Sequence, residues 1–156
     1  MGKVRIVTDS TAYLPDDIIE HFGITVVPLV VNFEKESFPE NRDKDCHVFY
    51  EKLTNSEKIP TTSQPAVGEF FEQYKRLTQD GSSVISIHLS GKLSGTVQSA
   101  RTAAAMLPGE NISVVDSRFT ISAMLYFVQE AAAMANAGCS KEDILDKIAF
   151  MKSHTR

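Results

Sequence analysis

The sequence predicts an α/β domain built on a mainly parallel β-sheet flanked by helices. Three observations carry that prediction: short β-branched apolar runs without polar alternation, amphipathic helical stretches between them, and small polar residues where the runs stop. Strands that alternate with helices are joined by crossovers, and crossovers make parallel sheets. Ligands of such sheets sit beyond the carboxyl ends of the strands, near a topological switch point.

Residues 4–7 (VRIV) read as the first parallel strand, stopped by TDST. Pro15 at a first helical position, Asp16 and Asp17 in the first turn and Gly23 past the end frame a short helix with Ile18, Ile19 and Phe22 facing inward. Residues 24–33 (ITVVPLVVNF) read as the second strand, with Pro28 marking an edge or a bulge because it lacks a ladder donor. Residues 34–45 are polar and read as a surface excursion, a hairpin tip being one form of it, before a helix over 46–53. Residues 55–62 read as loop. Pro65 then opens an amphipathic helix whose Val67, Phe70, Phe71, Tyr74 and Leu77 share one face, and Thr61, Thr62, Ser63 and Gln64 are expected to form a turn that caps it with hydroxyls.

After Gly81 comes a third strand over 84–89, then a helix expected from Ser94 to Leu107, ended by Pro108 and Gly109. Residues 112–115 make a fourth buried strand, residues 119–137 a long alanine-rich helix with Gly138 as its cap, and Ser140 with Asp143 a capping box. Ile144, Leu145, Ile148 and Met151 form the apolar face of the last helix.

The chain has 156 residues, 42% of them hydrophobic, enough for one folded unit with a core. A formal net charge of -4 gives no basic field for nucleic acid, and no Lys/Arg cluster suggests a membrane-surface patch. Cys46 and Cys139 are far apart without CxxC spacing, and strand-like sequence begins at Lys3 where a signal peptide would stand, so a cytoplasmic location with both thiols free is expected. No apolar run approaches the roughly 20 residues that span a bilayer.

Function is expected around residues 84–105 (VISIHLSGKLSGTVQSARTAAA). An apolar strand passes through a Gly/Ser loop into a helix start, where unpaired N–H groups and the positive helix end make an anion cradle. A second hydroxyl cluster, residues 61–63, reaches the same rim in a doubly wound topology. Each cluster alone reads first as a helix cap; the two together, one of them in a loop with Gly91 and Gly95 that lets backbone approach a ligand, bring a ligand site level with that reading. Other chemistries fit poorly. Gly95 is followed by Thr96 and Val97 rather than by Lys and Ser/Thr, so the loop is no P-loop, and no GxGxxG follows a strand. GKLSG has one residue too many for a nucleophile elbow, and the only histidine after Ser94 is His154, in a stretch expected to fray. The four histidines lack metal-ligand spacing, so no metal and no cofactor are expected. His88 reads first as a satisfied core residue, and Asp9 and Asp116 as anchors of their own loops.

Four motifs in order, IVTDSTAYLP, TTSQPAVGEF, SIHLSGKLSGTVQSA and SVVDSRFTISAM, resemble the DegV family of fatty-acid-binding proteins. The resemblance covers nearly the whole chain but only the N-terminal half to two-thirds of a family member, which implies a first α/β domain without the family's C-terminal domain. It implies binding of a long-chain, palmitate-like fatty acid, with the carboxylate held by Thr62 and Ser94 and helped by the Gly95 amide; Ser63 and Ser10 stand beside them as candidates. It further implies a non-catalytic carrier that presents the acid to a fatty acid kinase for phospholipid synthesis. The ENRDKD segment departs from the family's usual Asp-Gly turn. A tail of roughly 14 methylenes supplies on the order of 11 kcal/mol gross, against ~1 kcal/mol per hydroxyl bond, so the tail provides affinity and the head orientation. Two other readings stand beside this one: an acyl or phosphoryl transfer enzyme using Ser94 or Asp9, and a fragment whose exposed apolar residues drive homodimerisation.

Overall fold

In the computed structural model of the chain, the described residues are 2–34, 36–40 and 46–155, the side chains of residues 46–48 excepted. Four strands form the central sheet: β1 (Val4–Asp9), β2 (Thr25–Val27), and two that follow the middle of the chain, Ser83–His88 and Ile112–Asp116. A smaller sheet interrupts the numbering with β3 (Val30–Asn32), β4 (Ser37–Pro39) and β5 (Thr61–Ser63), so the later central strands are β6 and β7. The central order is β2-β1-β6-β7 and every neighbouring pair is parallel. The chain leaves β1 toward one edge and later builds toward the other, so the topological switch point lies between β1 and β6.

Among the described residues there are six α-helices: α1 (Asp16–Phe22), α2 (Cys46–Thr54), α3 (Val67–Thr78), α4 (Thr96–Ala105), α5 (Ile121–Asn136) and α6 (Lys141–His154). The core has two faces. On one, α3 and α4 bury Phe70, Tyr74, Leu77, Ala100 and Ala103 against Val7 and Val84. On the other, Met124, Val128, Ile144 and Ile148 of α5 and α6 meet Ile6, Ile85 and Ile87, with Ile18, Ile19 and Phe22 of α1 at the margin. Successive residues of β6 divide between the faces because strand side chains alternate.

Several expectations change. The run over 24–33 is two strands in two sheets: Val27 still pairs with Asp9, whereas Val30 pairs antiparallel with Pro39 and Ser63. Pro28, without an N–H, stands at the break. Within the polar excursion, β4 pairs antiparallel with β3, and Phe33 packs against Phe38 and against Phe49 of α2, while residue 35 and the part of ENRDKD after Glu40 lie outside the described residues. Residues 61–63 are strand β5 rather than a capping turn, and the α3 cap, Ala66, makes no side-chain cap bond. The fourth central strand is half-buried rather than buried, since it forms an edge of the sheet. Pro15 is the cap residue of α1, not its first helical residue, α4 begins at Thr96, and α5 at Ile121. The α6 capping box is present as expected, Ser140 and Asp143 bonding each other's backbone.

Candidate functional site

Because the four central strands are parallel, the segments after β1, β6 and β7 leave from the same carboxyl end of the sheet. The first two flank the switch point, and a buried polar chain ties them together. Asp9 ends β1 with both carboxylate oxygens engaged: Oδ1 accepts from the Thr11 amide (3.0 Å) and hydroxyl (2.6 Å), and Oδ2 from the Leu89 amide (3.0 Å). The same Oδ2 lies 2.9 Å from His88 Nδ1, and His88 Nε2 lies 2.6 Å from Ser86 Oγ. A carboxylate only accepts, so Nδ1 donates to Asp9, Nε2 accepts from the Ser86 hydroxyl, and Tyr74 Oη donates to Ser86 Oγ at 2.8 Å. Asp9, His88, Ser86 and Tyr74 are all 0% exposed. Burial pushes the Tyr74 phenol far above its ordinary value.

An acid, a histidine and a serine in hydrogen-bonded series invite comparison with a catalytic triad. Ser86, however, is enclosed in the centre of β6 beneath α3, where Phe70 packs edge-on to His88 at 5.0 Å. No substrate reaches it, and the chain acts as an anchor for the loop that follows.

That loop is LSGKLSGT. The amides of Leu93 and Ser94 both donate to the Ser90 carbonyl, so the segment curls back on itself before α4. Ser94 Oγ sits 2.9 Å from Thr96 Oγ1 and accepts from the Thr96 amide at 3.3 Å. Its bonds among the described residues are thus local, with no histidine placed to take its proton. Gly95 caps α4, and no acidic residue in the first turn of that helix offsets its positive end. Asp116 secures the far side of the loop, accepting from the amides of Gly91 (3.2 Å) and Arg118 (2.8 Å). Lys152 of α6 donates to the Asp116 carbonyl, and burial together with Arg118 lowers its pKa.

The second hydroxyl segment reaches this loop through a residue that composition and spacing did not single out. Gln64, next after β5, donates from Nε2 to Ser99 Oγ of α4 at 2.9 Å, and its Oε1 lies over Gly95. Through Gln64 the TTSQ segment, carried on the small antiparallel sheet, touches Gly95 of the LSGT loop and Ser99 of α4. The candidates differ in their freedom. Thr62 is exposed and pairs with Val31, while Ser94 and Gly95 are half-buried. Ser63 lies on the opposite face of β5 from Thr62 by strand alternation, and its hydroxyl accepts from Asn32 Nδ2 at 2.7 Å. Ser10 is buried, donating to Glu40 Oε2 (2.5 Å) and accepting from the Leu29 amide (3.0 Å), so its hydroxyl joins β1 to the small sheet.

Two open clefts lie elsewhere: one of about 560 Å³ between β2 and α3, lined by Val26, Val27, Pro28 and Glu69, and one of about 430 Å³ beside α2 and the β3–β4 turn. Neither is lined by the Ser94 loop. Among the described residues no group of three or more His, Cys, Asp or Glu side chains is arranged to hold a metal, and no helix is long and apolar enough to cross a membrane. Gln64, Ser86 and Tyr74 escaped sequence reading because each looked locally ordinary: a turn amide, a polar residue within an apolar run, and a helix-face aromatic.

Comparison with known proteins supplies independent findings. The sequence profile of a family described as "Uncharacterised protein, DegV family" matches residues 3–156. A DegV domain-containing protein of Halalkalibacterium halodurans is 46% identical over 156 residues, which are 99% of this chain and 55% of that protein. Among solved structures, DegV from Bacillus subtilis, described as a fatty acid binding protein, superposes with a TM-score of 0.87 at 38% identity, covering 98% of this chain and 55% of that one. A Thermus thermophilus structure described by its fatty acid binding superposes with a TM-score of 0.88 at 34% identity, covering 97% and 54%. The chain spans about half the length of the relatives it matches.

Proposed function

Since this chain belongs to the DegV family, we propose that it supplies one wall of a long-chain fatty-acid site and that the whole protein binds and carries the acid without transforming it. The observation that carries this reading is the junction of the two hydroxyl segments at the switch-point rim through Gln64 and Gly95. Thr62 Oγ1 and Ser94 Oγ donate to the carboxylate, the Gly95 amide assists, and the positive end of α4 favours the negative charge. Ser63 and Ser10 take supporting places, Ser63 through Asn32 and Ser10 through Glu40.

The remainder of the family's length, beyond what this chain spans, completes the site as a second domain, with the acyl tail between the two. Neutral donors hold the head without a buried ion pair, which leaves a carboxylate oxygen available to a fatty acid kinase. The carrier then works in the cytoplasm, presenting a palmitate-like acid for phospholipid synthesis.

The test is denaturing extraction of the purified protein, followed by mass spectrometry and by competition for cis-parinaric acid. The expected result is a recovered long-chain fatty acid and an affinity that falls about fivefold for each of Thr62→Ala and Ser94→Ala, from ~1 kcal/mol per hydroxyl bond. No recovered lipid together with unchanged affinity in both variants overturns the reading. Turnover of an ester or acyl phosphate by the purified protein, lost in Ser94→Ala, would assign a transfer enzyme instead.

A further inference from the structure

Thr62 and Ser94 belong to different bodies of the fold. Thr62 lies on β5 of the small antiparallel sheet, and Ser94 in the loop after β6 of the central sheet; no ladder joins the two sheets. Two donors that share one carboxylate need a fixed separation, because each bond weakens steeply with distance and angle. From the position of Gln64 we infer that this residue sets that separation, with Gly95 and Ser99 as its seat.

Its terminal amide is used at both ends. Nε2 donates to Ser99 Oγ at 2.9 Å, and Oε1 lies so close to Gly95 that a Cβ there would stand 1.9 Å from it and 2.7 Å from Cδ. Gly95 has φ -75 and ψ 5, a conformation open to any residue, so backbone freedom does not explain the glycine. The space taken by Gln64 does. Asparagine is one methylene too short for this reach, and glutamate has no N–H to give Ser99. Gln64 is thus a positioning residue: it holds β5 on the LSGT loop and lets the hydroxyls of the two segments act on one ligand. This rests on the proposed carboxylate site and adds to it the element that aligns the site.

A double-mutant cycle on the full chain tests it, read by backbone amide exchange over residues 61–66 and by displacement of cis-parinaric acid. Gln64→Ala is expected to accelerate exchange over 61–66 severalfold and to weaken binding about fivefold. Gly95→Ala should do the same by expelling the amide, and the double variant should be no worse than Gln64→Ala alone, since the clash needs both partners. Ser99→Ala should match Gln64→Ala, and Ser99→Thr, which keeps the acceptor, should restore both readouts. Fully additive losses in the double variant, or unchanged exchange in Gln64→Ala, overturn the inference. Binding lost in Thr62→Ala and Ser94→Ala but untouched by Gln64→Ala overturns it as well and leaves the carboxylate site standing. Non-additive exchange changes with no binding effect from any of these variants uphold the latch and overturn the carboxylate site.

Discussion

Asp9 carries more of the rim than any single hydroxyl does. Its two oxygens accept from Thr11, Leu89 and His88, so one side chain fixes the end of β1, the end of β6 and the orientation of the imidazole between them. An amide in its place has one oxygen and one NH2, and the NH2 necessarily faces donors. Asp9→Asn is therefore expected to destabilise the fold by about 1–3 kcal/mol, the cost of leaving buried donors unpaired, seen as a lower urea midpoint at unchanged m-value. An unchanged midpoint would show that the second acceptor oxygen of Asp9 is not needed to hold these donors. Part of this was legible: an aspartate followed by Ser-Thr at a strand end predicts a local turn, and a histidine inside an apolar strand predicts a satisfied core residue. The partners were not, because Ser86 and Tyr74 are polar atoms within apolar patterns and their meeting is tertiary. Gln64 is the same case, 35 residues from the serine it bonds.

Elements were readable where hydrophobic period and punctuation agreed. The face of α3 follows a 3.6-residue period, and Phe70, Tyr74 and Leu77 are buried on it. The α6 start has its reciprocal cap, with the Asp143 amide donating to Ser140 Oγ at 3.1 Å. Ser140→Ala is expected to cost about 1 kcal/mol of stability, measurable as a lowered thermal midpoint, while Ser140→Asp retains the cap and most of that stability. Legibility failed where one residue carries two meanings. Pro28 reads in sequence as an edge or a bulge, and only the pairing of Val30 with Pro39 and Ser63 reveals a break between two sheets. Hydroxyls before a proline-initiated helix resemble caps, yet residues 61–63 are drawn into a ladder by β3, which needed a partner for its free edge. The same ladder turns Thr62 and Ser63 to opposite faces, so two adjacent candidates that look equivalent in sequence are not equivalent in space.

At the scale of the molecule, the rim presents apolar surface as well as hydroxyls. Tyr13, Leu93 and Ile121 are 43%, 69% and 53% exposed, and each follows the carboxyl end of a central strand. In the proposed site, an acyl tail leaving the Ser94 loop would meet such residues before bulk water, and these residues would cover it on one side. Complete burial of a methylene is worth about 0.8 kcal/mol, close to a fourfold gain in affinity; contact on one side only should give about half that free energy, roughly twofold. Displacement of cis-parinaric acid by saturated acids of increasing length measures this gain directly. About twofold per methylene is expected for this chain. A fourfold gain would place the whole tail inside the residues described, and no gain would remove the tail from this surface altogether. Leu93→Ser should lower the gain per methylene, whereas Thr62→Ala should lower every affinity by the same factor and leave the gain intact. That contrast separates the residues that hold the tail from those that hold the head, and it does so without requiring the kinase.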